Sequence, residues 1–203
     1  VREPLARTPQ SFAFGVLRIA AARAGDPAPR LITGPEQDLV LRDLLAGHRA
    51  GEGSDPGWPA DLAAALTTRG FRAELRDLLM RAVERGIGPE DLAGLGRSHG
   101  RPEWVAASSV LREYLDVTGL GTPGGYDPAS VVSDAVAVLA ADPGLLAAVG
   151  AQIAFLAVDD AQEATPGVAD LVRIVAGGRP DVLLAGDPDV MTQAFRGADP
   201  GLL

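Results

Sequence analysis

Apolar residues recur at helical spacing through most of the chain. Over 8–23 they fall at Phe12, Val16, Ile19 and Ala20, and the Thr8-Pro9 start suits a helix N-terminus. A turn-rich linker, 25–30, leads to 35–45, where Leu39, Val40, Leu44 and Leu45 share one face. After a loop at 51–59, the pattern predicts helices over 59–69 and 71–85, the second with Phe71, Leu75, Leu78, Leu79 and Ala82 on one side. Further helices are predicted at 90–95, 103–118 and 128–140. No strand is expected between 59 and 140, so that stretch reads as all-helical.

The character changes after residue 140. A short helix at 144–149, a strand at 152–158, a helix at 166–176 and a strand at 181–185 alternate as in α/β proteins. Both strands are short apolar runs, which predicts buried parallel strands. Each is followed by acidic residues, and carboxylates at the carboxyl ends of adjacent parallel strands are where α/β proteins hold Mg²⁺ and nucleotide phosphates. The expected fold class is therefore α/β and predominantly helical.

Composition narrows this picture. A chain of 203 residues with 47% apolar content can bury a packed core in one or two domains. The most apolar segment, 135–156, is broken by Asp142, Pro143 and Gly144, and no leader-like pattern opens the chain, so neither a membrane span nor a signal peptide is expected. With no cysteine there is no disulfide, zinc-finger or iron–sulfur framework in these residues, which suits a cytosolic protein.

All 18 basic residues are arginines. A phosphate-binding loop of the GxxxxGK[ST] type needs its lysine against the β- and γ-phosphates, so none can be built from these residues. Residues 1–112 hold 15 Arg against 14 acids, net +1, and residues 113–203 hold 3 Arg against 13 acids, net −10. The overall charge of −9 argues against a dedicated basic nucleic-acid surface. Any DNA contact made here is expected to be local.

The acidic stretches themselves carry the most specific wording. Asp159-Asp160-Ala161-Gln162-Glu163 and Gly186-Asp187 through Phe195-Arg196-Gly197-Ala198 resemble, in order and content, motifs II and III of superfamily 1 DNA helicases of the UvrD/Rep kind. The N-terminal segment is similar to a third family element, with Thr8, Ser11, Ala13, Leu17 and Arg18 in agreement and Gln10 in place of a histidine. Residues 71–86 and Gly34 to Asp38 look most like the actinobacterial AdnA- and RecB-like recombination-repair branch.

That resemblance implies an incomplete P-loop NTPase, RecA-like 1A domain (1–25 and 141–203) with an inserted all-α 1B subdomain (26–140). It further implies ATP and Mg²⁺ as cofactors, single-stranded or duplex DNA as partner, no membrane partner, a cytoplasmic, nucleoid-associated location, and a second helicase–nuclease subunit as a further partner. By position, Asp159 corresponds to the Mg²⁺ ligand, Asp160 to the general base, Gln162 to a catalytic coupling residue and Asp187 to a nucleotide-sensing contact. Thr8, Gln10, Phe195 and Arg196 correspond to DNA contacts, with Phe195 placed to stack on an unpaired base.

Three departures stand out. Asp160 occupies a glutamate position and is one methylene shorter, and a misplacement of roughly 1 Å can cost about a hundredfold in rate. Val190 replaces a glutamine and Gln193 a tyrosine. They leave open a degenerate, noncatalytic motor subunit that serves as a DNA-binding scaffold. On either reading, these residues alone are expected to be inactive, because the P-loop and the second motor domain lie elsewhere.

Other residues read as ordinary. His48 and His99, 51 residues apart without metal-ligand spacing, are expected to be solvated, and Trp58 and Trp104 to anchor helix packing. Arg69, Arg72, Arg76, Arg81 and Arg85, interleaved with Glu74, Asp77 and Glu84, read as a solvated face with i,i+4 pairs. A two-component receiver domain also carries a Val-Asp-Asp strand end, but it needs a lysine this chain lacks.

Overall fold

Threonines set where most of the long helices begin. The computed structural model describes residues 6–121, 124–177, 181–192 and 198. Helix α1 (Pro9–Ala24) starts behind Thr8, whose Oγ1 accepts the Ser11 N–H at 3.1 Å. A two-residue strand, β1 (Arg30–Leu31), precedes α2 (Gly34–Ala50), which has a full capping box between Thr33 and Glu36. Helices α3 (Arg69–Glu84), α4 (Pro89–Ser98) and α5 (Pro102–Gly121) follow. Then come β2 (Gly125–Tyr126), α6 (Val131–Ala141), α7 (Pro143–Gly150), β3 (Phe155–Val158), α8 (Pro166–Ala176) and β4 (Asp181–Leu184).

The chain forms two compact units, one of residues 30–127 and one of 1–29 with 128–203. In the first, α2, α3 and α5 meet around Leu41, Leu45, Leu79, Val110, Leu111 and Tyr114, and α4 packs along α5. Trp58 and Trp104 lie against this core, Trp58 edge-on to Phe71 with ring centroids 5.2 Å apart. Gly96 permits a close approach of α4 to α5, since a Cβ there would sit 2.9 Å from the Val105 backbone nitrogen.

A buried polar group ties this unit's end to its middle. Asp127 Oδ2 accepts from Tyr114 Oη at 2.7 Å and from Gln37 Nε2 at 2.9 Å. Burial, reinforced by the Asp127 carboxylate, pushes the Tyr114 phenol far above its ordinary range, so it remains a donor.

In the second unit α6 packs against both α1 and α8, burying Val131, Val132, Ala135 and Leu139. The sequence reading assigned this helix to the helical insertion. It joins the other unit because its buried face has its partners in α1 and α8. Strands β3 and β4 pair in parallel, Phe155 opposite Asp181 and Val158 opposite Leu184.

Several expectations need correction. Only a 3₁₀ turn, Ala60–Leu62, forms where a helix over 59–69 was expected. Thr68 is the reason: its Oγ1 donates to Ala65 O at 2.8 Å and accepts the Phe71 N–H at 3.2 Å, so it starts α3 rather than continuing a helix through itself. Strand β2 falls where none was expected and pairs with β1 in parallel. Strands β3 and β4 are not buried: Phe155 is 58% and Leu183 52% exposed, because the sheet has only these two strands among the described residues.

His48 is not solvated either. It lies on the last turn of α2 with its side chain 6% exposed, and its Nε2 is 2.6 Å from Glu113 Oε2 on α5. Arg72 reaches across to Asp38 of α2 at 3.0 Å instead of pairing along its own helix. No single described helix is long and apolar enough to cross a membrane.

Candidate functional site

The parallel pairing of β3 and β4 brings their carboxyl ends side by side. The ladder runs on past the strands, Ala185 N–H to Val158 O at 2.8 Å and Ala161 N–H to Ala185 O at 2.9 Å. The segments carrying Asp159–Asp160 and Asp187 therefore leave the sheet together. Asp159, Asp160, Asp187 and Asp189 are all exposed there.

Asp160 is the one described non-glycine residue with positive φ, at φ 52° and ψ 42°. Aspartate tolerates this left-handed region better than most residues, but holding it there costs on the order of 1–3 kcal/mol. The turn reverses the chain into the 3₁₀ segment Ala161–Glu163 and leaves the Asp160 carboxylate exposed. Asp159 Oδ1 accepts the Asp160 N–H at 3.0 Å, so its other oxygen is open to solvent or a cation.

Gln162 is buried, 5% exposed, and joins the two acidic stretches. Its Oε1 accepts the Asp187 N–H at 3.2 Å and its Nε2 donates to Val190 O at 3.4 Å. Glu163 makes a second tie, its Oε1 accepting from the backbone N–H and the hydroxyl of Thr192, the latter at 2.8 Å. Asp187 Oδ1 accepts the Asp189 N–H at 3.0 Å, closing an Asx-type turn. Both Gln162 contacts are thus spent on the loop backbone, and Val190 is an exposed apolar side chain.

Mg²⁺ is usually held by one or two carboxylates, the rest of its octahedron being water and phosphate oxygens. For that mode Asp159 offers one open, exposed carboxylate oxygen; among the described residues no three acids or histidines group to enclose a metal. A triphosphate is different, since the lysine that neutralises it cannot come from this lysine-free chain.

Of the sequence-predicted site residues, the structure brings Asp159, Asp160, Gln162 and Asp187 to one end of one sheet. Thr8 is engaged as the cap of α1, and Gln10 is exposed on its first turn. Phe195 and Arg196 lie outside the described residues. Neither Thr192 nor the Asx-type turn at Asp187-Pro188-Asp189 was foreseen from the sequence.

The family model described as UvrD/REP helicase N-terminal domain matches residues 1–203. No curated protein matches the chain.

Proposed function

The chain belongs to the UvrD/REP helicase family, matched through the family's N-terminal domain, and on that premise we propose that it forms part of an ATP-dependent motor that moves on single-stranded DNA. We place that motor in repair or recombination, in the cytoplasm on the nucleoid, with the 1–29 and 128–203 unit as RecA-like 1A domain and the helical unit as 1B subdomain. One observation carries the reading: two acidic strand ends leave a parallel sheet side by side and are tied by Gln162.

Bound Mg²⁺ would supply charge neutralisation at a nucleotide's phosphates. Asp159 is the residue to hold it, through the oxygen that the Asp160 amide leaves open. Asp160, exposed on its left-handed turn, is the residue to accept a proton from water. Gln162 and Glu163 link that turn to the 187–192 segment, so a shift at one acidic stretch is felt at the other. Thr8 and Gln10, with Phe195 and Arg196, are the residues we assign to the DNA strand.

A second reading, a noncatalytic subunit that lends its DNA contacts to a partner helicase–nuclease subunit, is favoured by Asp160 in a glutamate position and by exposed, apolar Val190. DNA-stimulated ATP turnover of the full-length protein separates the two. The catalytic reading expects turnover that Asp159→Asn lowers by about a hundredfold or more. Absence of turnover, with a lysine-bearing phosphate loop present, supports the noncatalytic subunit. Turnover unaffected by Asp159→Asn sinks the site assignment.

A further inference from the structure

Hydrogen bonds run without a break from the second acidic stretch back to the first. Thr192 presents both its backbone N–H and its hydroxyl, the latter at 2.8 Å, to a single oxygen, Glu163 Oε1. Glu163 donates its own N–H to Asp160 O at 2.8 Å, closing the turn that starts at that left-handed residue. Asp160 in turn donates its N–H to Asp159 Oδ1 at 3.0 Å. Thr192 is therefore joined, residue by residue, to both carboxylates of the first stretch.

Glu163 is the pivot of this chain, because its backbone N–H is engaged on Asp160 while its carboxylate is engaged on Thr192. A carboxylate accepts more strongly than a neutral oxygen, and two donors from one residue fix the direction of the contact as well as its length. Gln162, its neighbour, grips the same loop at Asp187 and Val190. With the loop held at those two points, the hydroxyl of Thr192 adds the tie that leads into the Asp160 turn.

We propose that Thr192 is a positioning residue for the motor's chemistry, which through Glu163 holds the Asp160 turn in the orientation its carboxylate needs to meet water. The proposal rests on the motor reading and adds to it a residue outside the acidic pair. Thr192→Val deletes the hydroxyl but keeps the backbone N–H to Glu163, so it loosens the turn without releasing it. Thr192→Ser retains both donors.

Two measurements test it. In the ¹⁵N-labelled chain, amide exchange at Glu163 and Asp160 is expected to quicken about three- to tenfold in Thr192→Val and to stay at the parent's rate in Thr192→Ser. In a Glu163→Ala background the same Thr192→Val change should have no further effect, since the two residues act as one link. In the full-length protein, ATP turnover is measured per nucleotide-binding site, counted by titration so that misfolded molecules drop out. It should fall about tenfold in Thr192→Val, with KM for ATP held within about twofold, and recover in Thr192→Ser. Unchanged exchange at Asp160 in Thr192→Val, or an active parent whose turnover ignores the substitution, overturns the proposal alone. A full-length parent that turns over no ATP defeats the motor reading, and this proposal with it.

Discussion

Gln162 accepts the backbone N–H of Asp187 at 3.2 Å across 25 residues of sequence, and with its other amide atom donates to Val190 O. The side chain acts as a clamp on the second acidic loop. Gln162→Ala removes both bonds to the loop backbone, at an expected cost of about 0.5–1.5 kcal/mol. Urea denaturation measures that cost, and hydrogen exchange at the Asp187 amide should accelerate. An unchanged exchange rate there would show that the loop does not need the clamp.

Asp160 sits at φ 52° with no other described non-glycine residue sharing that conformation. Asp160→Gly relieves the strain and is expected to raise stability by up to about 1 kcal/mol. ATP turnover by the full-length protein should fall at the same time. A variant that is less stable than the parent would mean that the carboxylate contributes more to folding than its backbone costs.

Tyr114 gives the fold an alkaline limit. Its phenol is raised well above the ordinary 10.0, first by burial and then by its bond to Asp127. The folded state therefore keeps the proton that the unfolded chain gives up, so stability is complete below pH 10 and is lost as pH climbs towards the folded value. With no lysine and only one other tyrosine in the chain, few groups mask this limb. Tyr114→Phe is expected to cost about 1.5–3 kcal/mol at neutral pH and to flatten the decline above pH 10, as denaturation midpoints at several pH values would reveal.

Gly96 and Gly94 offer a matched pair on α4. A Cβ at Gly96 would meet Val105 N at 2.9 Å and Arg101 O at 3.0 Å, whereas one at Gly94 meets nothing within 4 Å. Gly96→Ala is expected to cost about 1–3 kcal/mol by forcing α4 off α5. Gly94→Ala should instead gain roughly 0.5–1 kcal/mol from better helix propensity. Thermal melts that rank the two variants in the opposite order would refute the packing account.

Helices were the most legible part of the fold, since their apolar residues recur at helical spacing, and at α1 the Thr8-Pro9 start marks the beginning as well. The misses share a physical cause. Strands β1 and β2 have two residues each, too few for alternation to register, and their pairing spans some 95 residues. The His48 to Glu113 contact joins α2 to α5 across 65 residues, and no local pattern announces it. At the acidic strand ends, the sequence showed the carboxylates but not the turn that Asp187 closes. The left-handed backbone at Asp160 and the outward-facing apolar residues of β3 and β4 depend on packing that no short window contains.

The two-residue pairing of Arg30 with Gly125 and Leu31 with Tyr126 runs in parallel, so entry to and exit from the helical unit lie about 4.8 Å apart. Such a doorway makes the unit an interchangeable cassette. A replacement of any length whose own ends meet at that spacing could be spliced between residues 29 and 128, which makes this junction the natural cut site for chimeras.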